Sequence, residues 1–266
     1  MRRALLLAVA LLAFGAPKAR ADVPYGGSVL YKSALGNGSM SLTRHDNGRI
    51  TGRINVAYHC KGYAVGNAVV RVKGSSNGTA FTASGSTGTR PGRIRLSLKG
   101  TLDGPNGAGR MTARQRRCLH FTRPFVLRTP SAPVGGPALP PRGSLFYGFS
   151  TQLAGGAPLP VSLRVASNGR VYAIWEAIST CQRNFKFPVV DLTPSTKVRA
   201  DGSFSRTENY TFRFSDAPTQ RYHVNFRGRF MADGAVGTLS ATVKFYDRGR
   251  AYATCRSGTV NWAARP

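Results

Sequence analysis

Apolar and polar residues alternate with a period of two along much of this chain. The alternation is clearest at residues 93–99, 210–214 and 221–227. The apolar positions there are Ile94, Leu96, Leu98, Tyr210, Phe212, Phe214, Tyr222, Val224 and Phe226. Such a period is that of a strand with one face in a core and the other in solvent. After residue 21 no segment keeps a helical period for about ten residues, so the pattern predicts an all-β protein.

Asn-Gly and Asp-Gly pairs separate the predicted strands. They begin at residues 47, 77, 103, 168, 201 and 233. These pairs accept the positive φ angles of two-residue hairpin turns, which join neighbouring antiparallel strands. Many short strands joined in this way are typical of antiparallel β-sandwiches and of small β-barrels.

One motif occurs twice in the chain. The pattern C-x3-T-x2-aromatic-x2-R is found at residues 118–128 and again at 255–265. Tyr25-Gly-x-Ser28 has a similar counterpart in Tyr147-Gly-x-Ser150. Two copies with so long a period indicate a duplicated domain rather than a solenoid, which needs several short repeats.

The domain boundary is predicted at a Pro/Gly-rich linker, residues 129–142, which lies between the two copies. Such a segment lacks backbone donors and favours an extended path. We therefore predict a first β domain over 22–128 and a second over 143–266. Each is expected to be an antiparallel β-sandwich with one disulfide, and small β-barrels are the alternative.

Residues 1–21 carry the features of a secretory signal peptide. Arg2 and Arg3 precede a short apolar run, and Ala19-Arg-Ala21 is a small-x-small cleavage site. The run is too short to span a bilayer, and no later stretch reaches that length. We expect a secreted protein, extracellular or periplasmic, without a transmembrane segment.

The four cysteines fit that compartment, because disulfides persist in oxidising spaces. Of the three possible pairings, the repeat favours Cys60 with Cys118 and Cys181 with Cys255, one bridge in each copy. Closing loops of this length stabilises the fold by roughly 4 kcal/mol in the chain-entropy account.

The chain is strongly basic, with a formal net charge of +28 that falls to +24 once Arg2, Arg3, Lys18 and Arg20 are removed. Residues 22–142 hold 18 basic and 3 acidic side chains, and residues 143–266 hold 16 and 7. Both halves are therefore basic. Two explanations stay open: a coding bias that enriches Arg, or a surface that attracts anionic polymers.

Several cations occupy polar positions of the alternating segments. When Gly100 is aligned with Gly228, three residues of the first copy superpose on three of the second: Arg93 on Arg221, Arg95 on His223 and Lys99 on Arg227. The candidate binding residues, which include a denser cluster before Cys118, are Arg93, Arg95, Lys99, Arg114, Arg116, Arg117, Arg221, His223 and Arg227. Alternate side chains of a strand lie about 6.6–6.8 Å apart. The alternative is solvated charge that prevents edge-to-edge pairing of strands.

Candidate catalytic chemistry is sparse. Glu176 and Glu208 are the only glutamates of the second copy, and Glu176 lies in an apolar strand. It is either an acid with a raised pKa or the partner of an arginine, and we favour the arginine. The chain contains no G-x-S-x-G, P-loop or dinucleotide motif. We also expect no metal or cofactor, because adjacent strand residues such as His59 and Cys60 point to opposite faces.

The closing segment C-x-S-G-T-V-x-W-x-A, residues 255–264, follows a Gly-rich pattern at 234–239. It resembles a β domain of secreted bacterial proteins that has no assigned activity. The resemblance implies compartment and fold, and it transfers no functional residue. The first copy departs from it, with Phe125 at the position of Trp262.

These observations lead to one favoured function and two alternatives. The favoured one is a secreted, non-catalytic, monomeric protein that binds an anionic polysaccharide or another envelope polymer. Nucleic acid is not expected, since no stacking platform accompanies the cations. The first alternative is a glycan-processing enzyme that uses Glu176 or Glu208, and the second is a structural or adhesive envelope protein.

Overall fold

The computed structural model describes residues 22–31, 34–59, 65–88, 93–116, 119–182, 185–213 and 218–266, and it is built of 17 strands. The first eight are β1 (Val23–Tyr31), β2 (Ala34–Arg44), β3 (Arg49–His59), β4 (Val65–Asn77), β5 (Ala80–Thr87), β6 (Ile94–Asp103), β7 (Asn106–Gln115) and β8 (Leu119–Arg128). The other nine are β9 (Leu145–Ala154), β10 (Ala157–Val165), β11 (Arg170–Cys181), β12 (Lys186–Lys197), β13 (Ser203–Phe212), β14 (Thr219–Met231), β15 (Gly234–Asp247), β16 (Arg250–Arg256) and β17 (Val260–Arg265). The predicted all-β class is confirmed.

Strands β1 to β8 form a closed antiparallel barrel, which we call the first barrel. Each strand pairs with the next, and β8 returns to β1 with Phe125 opposite Val29. One buried cluster of side chains from the strands fills its interior. The alternative architecture, a small barrel, therefore applies to this part of the chain. The preferred sandwich does not, because the pairing of β1 with β8 joins all eight strands into one sheet.

Strands β9 to β17 form a second sheet in the order β12-β11-β10-β9-β17-β15-β14-β13, and β16 pairs with both β11 and β15. The first barrel has the corresponding order β4-β3-β2-β1-β8-β7-β6-β5. In the first barrel β4 pairs with β5, whereas no pairing between β12 and β13 joins the described residues. We call this opening of the second sheet the seam. A common strand order is what duplication would produce, and the duplication itself stays a prediction.

In each sheet a glycine makes room for an aromatic ring. A Cβ added at Gly109 would lie 2.6 Å from the ring of Phe125, and one at Gly237 would lie 2.6 Å from the indole of Trp262. Both rings are buried. The glycines are therefore required by close packing of a large aromatic side chain over the strand.

Strand pairing places the tyrosines of the two similar motifs at different positions relative to Ser41 and Ser162. Gly26 lies opposite Ser41 in the first barrel, while Tyr147 lies opposite Ser162 in the second sheet. The tyrosines of the matched motifs are therefore one position out of step. Tyr25 packs in the core of the first barrel, whereas Tyr147 is not part of the second core. A one-residue shift moves a side chain to the opposite face of a strand.

The disulfide between Cys181 and Cys255 is confirmed, and it joins β11 to β16 at directly paired positions. The predicted partner bridge, Cys60 with Cys118, lies outside the described residues, as do Arg117 and the predicted signal peptide. Within the described ranges there is no helix with the length and hydropathy needed to cross a membrane.

The two units meet mainly through β1 and β2, which pack against β9, β10 and β11, and Arg53 of β3 reaches Glu176 of β11. Small and polar side chains take part in this contact, together with apolar residues of the second sheet such as Phe149. The polar side chains buried there include Ser28, Ser39, Ser41, Asn55 and Ser162. A Cβ at Gly26 would lie 2.6 Å from the ring of Phe149, so the two backbones approach closely.

Candidate anion-binding face

The outward positions of β6 and β7 carry four cations, Arg95, Lys99, Arg110 and Arg114, which we call the cationic face. In β6 the buried and exposed residues alternate without interruption from Ile94 to Lys99. The apolar members fill the barrel, and the cations between them are exposed. Local alternation alone therefore determines which side of β6 meets solvent.

Register determines how these cations are grouped. Arg95 lies directly opposite Arg114, and Lys99 lies directly opposite Arg110. Ser97 and Thr112 face each other in the row between these pairs. Since alternate residues of a strand are about 6.6–6.8 Å apart, the two cation pairs, which lie four residues apart, are separated by about 13 Å along the strands.

The neighbouring strands extend both rows. On β8, His120 lies opposite Arg114, and Thr122 lies opposite Thr112. The hydroxyls of Thr112 and Thr122 hydrogen-bond to each other at 2.8 Å. On β5, Ser86 lies opposite Arg95. The face thus alternates rows of cations with rows of hydroxyl groups.

The charge of this face is not neutralised within the part of the chain that the structure describes. None of the four cations forms an ion pair with a carboxylate of the described residues. Like charges directly opposite each other on a sheet are destabilising. A depression of 560 Å³ lies over this region, and it is lined by Ser84, Ser86, Arg95, Ser97, Thr112 and Arg114 among others.

The position of the face leaves it accessible. Around the closed barrel, β6 is four strands from β2 in either direction. The second sheet packs mainly against β1 and β2. The cationic face is therefore on the side of the first barrel that points away from the second sheet.

The remaining candidates of the first barrel lie at its margin. Arg93 immediately precedes β6, and its Nε is 3.5 Å from the Gly88 carbonyl oxygen, to which it donates. Arg116 is exposed just after β7. Arg110 completes the second cation pair and was not among the candidate residues, although its position close to the basic cluster before Cys118 could have identified it.

In the second sheet the corresponding face is less cationic. Arg221, His223 and Arg227 are exposed on β14, but Thr242 and Thr238 lie opposite the last two. Arg227 Nε donates to Thr238 Oγ1 at 2.8 Å, and His223 Nδ1 lies 2.8 Å from the side-chain oxygen Oδ1 of Asn209. Neutral residues on β15 therefore replace the cations that β7 provides in the first barrel.

One cation pair does occur on that face. Arg221 lies opposite Lys244, and the Arg221 guanidinium lies over the Tyr246 ring at 4.4 Å from its centre. A depression of 330 Å³ is lined by these three residues together with Asn209 and His223. The second sheet thus has a smaller cationic site at one end of β14.

Glu176 is placed by the contact between the two units. It faces the first barrel from β11, and Arg53 Nη2 donates to its Oε1. Burial raises the pKa of Glu176, and Arg53 and Asn55 oppose that rise. The expected arginine partner of Glu176 is confirmed. The contact between the two units accounts for the burial of the Glu176 carboxylate, so its position does not indicate a substrate cleft.

A second buried carboxylate, Asp191, lies in the interior beside the seam. Sequence reasoning did not single it out. Tyr210 donates to one oxygen of Asp191 at 2.9 Å, and Thr193 donates to the other at 3.0 Å. Burial is the main cause that raises the pKa of Asp191 to about 6, and the nearby Glu208 carboxylate adds to the rise. Glu208 itself accepts two hydrogen bonds from Arg206.

The described residues contain no group of three or more His, Cys, Asp and Glu side chains placed to hold a metal ion. Comparison with protein-family models and with curated proteins finds no match to this chain. The candidate site therefore depends on its own geometry: paired cations and hydroxyl rows on an exposed sheet.

Proposed function

We propose that the chain is a secreted protein that binds anionic polymers through the cationic face of its first barrel. The observation that carries this proposal is the direct opposition of Arg95 with Arg114 and of Lys99 with Arg110, with no carboxylate among the described residues to neutralise them. Such an arrangement opposes folding, and a bound external anion would relieve the repulsion.

A polymer fits this face better than a single small anion. The face is a broad, shallow sheet surface, along which two cation pairs follow one another. Arginine binds sulfate, phosphate and carboxylate groups with two parallel hydrogen bonds, and the hydroxyl row between the pairs supplies further donors. The predicted signal peptide and the Cys181–Cys255 bridge support an oxidising compartment, where sulfated, phosphorylated or uronic-acid polymers are the available partners.

A binding role has more support than a catalytic one. A glycosidase needs two carboxyl groups that face its substrate. Glu176 is enclosed with Arg53, and Asp191 and Glu208 already accept hydrogen bonds from protein groups. An adhesive protein would instead associate with itself, and the experiment below separates this alternative.

Retention of the folded chain on a sulfated polysaccharide resin and on a teichoic-acid resin tests the proposal. We expect elution only at high salt, and earlier elution of the Arg95→Gln/Arg114→Gln variant. The matched control is Arg142→Gln/Arg250→Gln, which removes the same charge from exposed sites elsewhere. Equal elution of both variants would contradict a specific face, and concentration-dependent self-association without retention would favour the adhesive alternative.

A further inference from the structure

A second cationic site lies at the seam of the second sheet. A pocket of 300 Å³ opens there between β12 and β13. Its lining consists of Arg170, Ser195, Thr196, Lys197, Arg199, Ser205 and Arg206. Four cations and three hydroxyls thus surround one small cavity, which is at the lower end of the size of ligand pockets.

A β-bulge shapes one wall of this pocket. Thr193 lies opposite Ala173 and Thr196 lies opposite Val171, so β12 has one more residue than β11 over this stretch. The extra length falls at Pro194 and Ser195. Bulges of this kind change the direction of a side chain and are common beside functional sites.

The bulge brings Ser195 to Arg170 and fixes that guanidinium. Arg170 Nε donates to the Ser195 hydroxyl, and its Nη2 donates to the Ser195 carbonyl oxygen at 3.0 Å. Neither bond uses Nη1. The arginine is therefore held in place while one of its NH₂ groups has no hydrogen bond to the described residues.

Arg206 is fixed in the same manner from β13. Its Nε and Nη2 donate to Glu208 Oε1 at 3.0 and 2.9 Å, which again leaves Nη1. Lys197 and Arg199 are exposed at the rim, and Arg199 has a 3.4 Å contact with the Ser203 hydroxyl. Glu208 is the only carboxylate bonded to a lining cation among the described residues, so the pocket keeps a net positive charge.

The corresponding region of the first barrel has no such pocket wall. The register of β3 with β4 is continuous from Arg49 to His59, and β4 pairs with β5. Both the bulge and the unpaired seam are particular to the second sheet. The four cations therefore collect where this unit departs from the first.

We propose that the seam pocket binds a single phosphate- or sulfate-type oxyanion. Two fixed guanidinium groups on opposite walls suit the several oxygens of such a group, and hydroxyls and unpaired strand-edge amides supply further donors. The group is either a free inorganic anion or the ester on a sugar. This site is independent of the cationic face, which belongs to the other unit.

Titration of the full chain with inorganic phosphate, inorganic sulfate and a sugar monophosphate, followed by amide chemical shifts, tests the proposal. We expect saturable shifts at β12 and β13. The Lys197→Gln/Arg199→Gln variant should bind at least about tenfold more weakly at β12 and β13, whereas Arg142→Gln/Arg250→Gln should bind as the parent does. Tighter binding of the sugar ester than of the inorganic anions would identify the ester as the source, and the reverse order would identify the free anion.

Equal binding by the parent and the seam variant would overturn the proposal. So would aggregation of the seam variant with unchanged phosphate binding in its soluble fraction, because the cations would then protect a strand edge. Lys197→Gln alone changes one exposed side chain, so it keeps the test decisive should the double variant fail to fold.

Discussion

Arg53 of the first barrel donates a hydrogen bond to Glu176 of the second sheet, across a surface that both units bury. The Glu176 side chain is 1% exposed and that of Arg53 is 14% exposed. An ion pair removed from water in this way adds little net stability, but loss of one partner leaves an isolated buried charge. The pair therefore makes the two units depend on each other.

Removal of the arginine should be strongly destabilising. For Arg53→Ala we expect a loss of roughly 3–5 kcal/mol in the free energy of unfolding, because the Glu176 carboxylate is left buried without a partner. The measurement is denaturant unfolding followed by circular dichroism. Arg229→Ala, which breaks an ion pair whose side chains are about half exposed, is the control and should change stability by about 1 kcal/mol or less. Equal effects would show that the 53–176 pair is solvated.

Asp191 should make stability depend on pH in a defined window. Burial raises its pKa from 3.8 to about 6, so the folded state holds more protons than the unfolded state between these values. Stability attributable to Asp191 therefore falls as the pH rises from about 4 to about 6, by roughly 3 kcal/mol in total. In Asp191→Asn this dependence is absent. We expect the unfolding free energy of the parent relative to the variant to fall by that amount over the window, and a constant difference would contradict the assignment.

The glycines beneath the aromatic rings should not tolerate a methyl group. Gly109→Ala and Gly237→Ala place a Cβ within 2.6 Å of Phe125 and Trp262, so we expect losses of roughly 1–3 kcal/mol from overpacking. Thermal unfolding measures the effect. Gly136→Ala is the control, because nothing lies within 4 Å of its added Cβ, and its melting temperature should match the parent.

The bridge between Cys181 and Cys255 closes a separation of 74 residues. We expect Cys181→Ala/Cys255→Ala to lose roughly 2–5 kcal/mol, since the cross-link limits the conformations of the unfolded chain. Unfolding by urea under oxidising conditions gives the value. The same comparison in reducing buffer should show a smaller difference, and a difference unaffected by reductant would assign the loss to packing instead.

Charge reversal on the cationic face should separate stability from binding. In Arg114→Glu an opposite-charge pair with Arg95 replaces a like-charge pair, so we expect a gain of roughly 0.2–1 kcal/mol in stability together with earlier elution from an anionic resin. Arg142→Glu makes the same change in charge away from the face. It should leave stability nearly unaltered and shift elution less, and identical shifts would indicate that only total charge matters.

Local patterns predicted the strands well because strand faces are determined by neighbouring residues. The alternation of Ile94, Leu96 and Leu98 with polar residues corresponds to the buried and exposed positions of β6. Closure of the barrel was not predictable in the same way. It depends on Val29 pairing with Phe125, a contact between distant residues that alternation does not specify.

The candidate site was predictable only in part, for the same reason. The sequence placed Arg95 on an exposed strand face and Arg114 in a basic cluster before Cys118, and it left their direct opposition undetermined. An arginine partner for Glu176 was expected, but Arg53 lies 123 positions away along the chain. The seam pocket gave no signal, because it depends on an extra residue in β12 relative to β11.

Both tryptophans of the chain, Trp175 and Trp262, belong to the second sheet. Phe226 is stacked between them, with ring centres 6.1 and 5.0 Å from the two indoles. Intrinsic tryptophan emission therefore reports on the second sheet alone, while far-ultraviolet signals sum over both units. Recording the two during one denaturation resolves whether the halves of this molecule melt together, without any label.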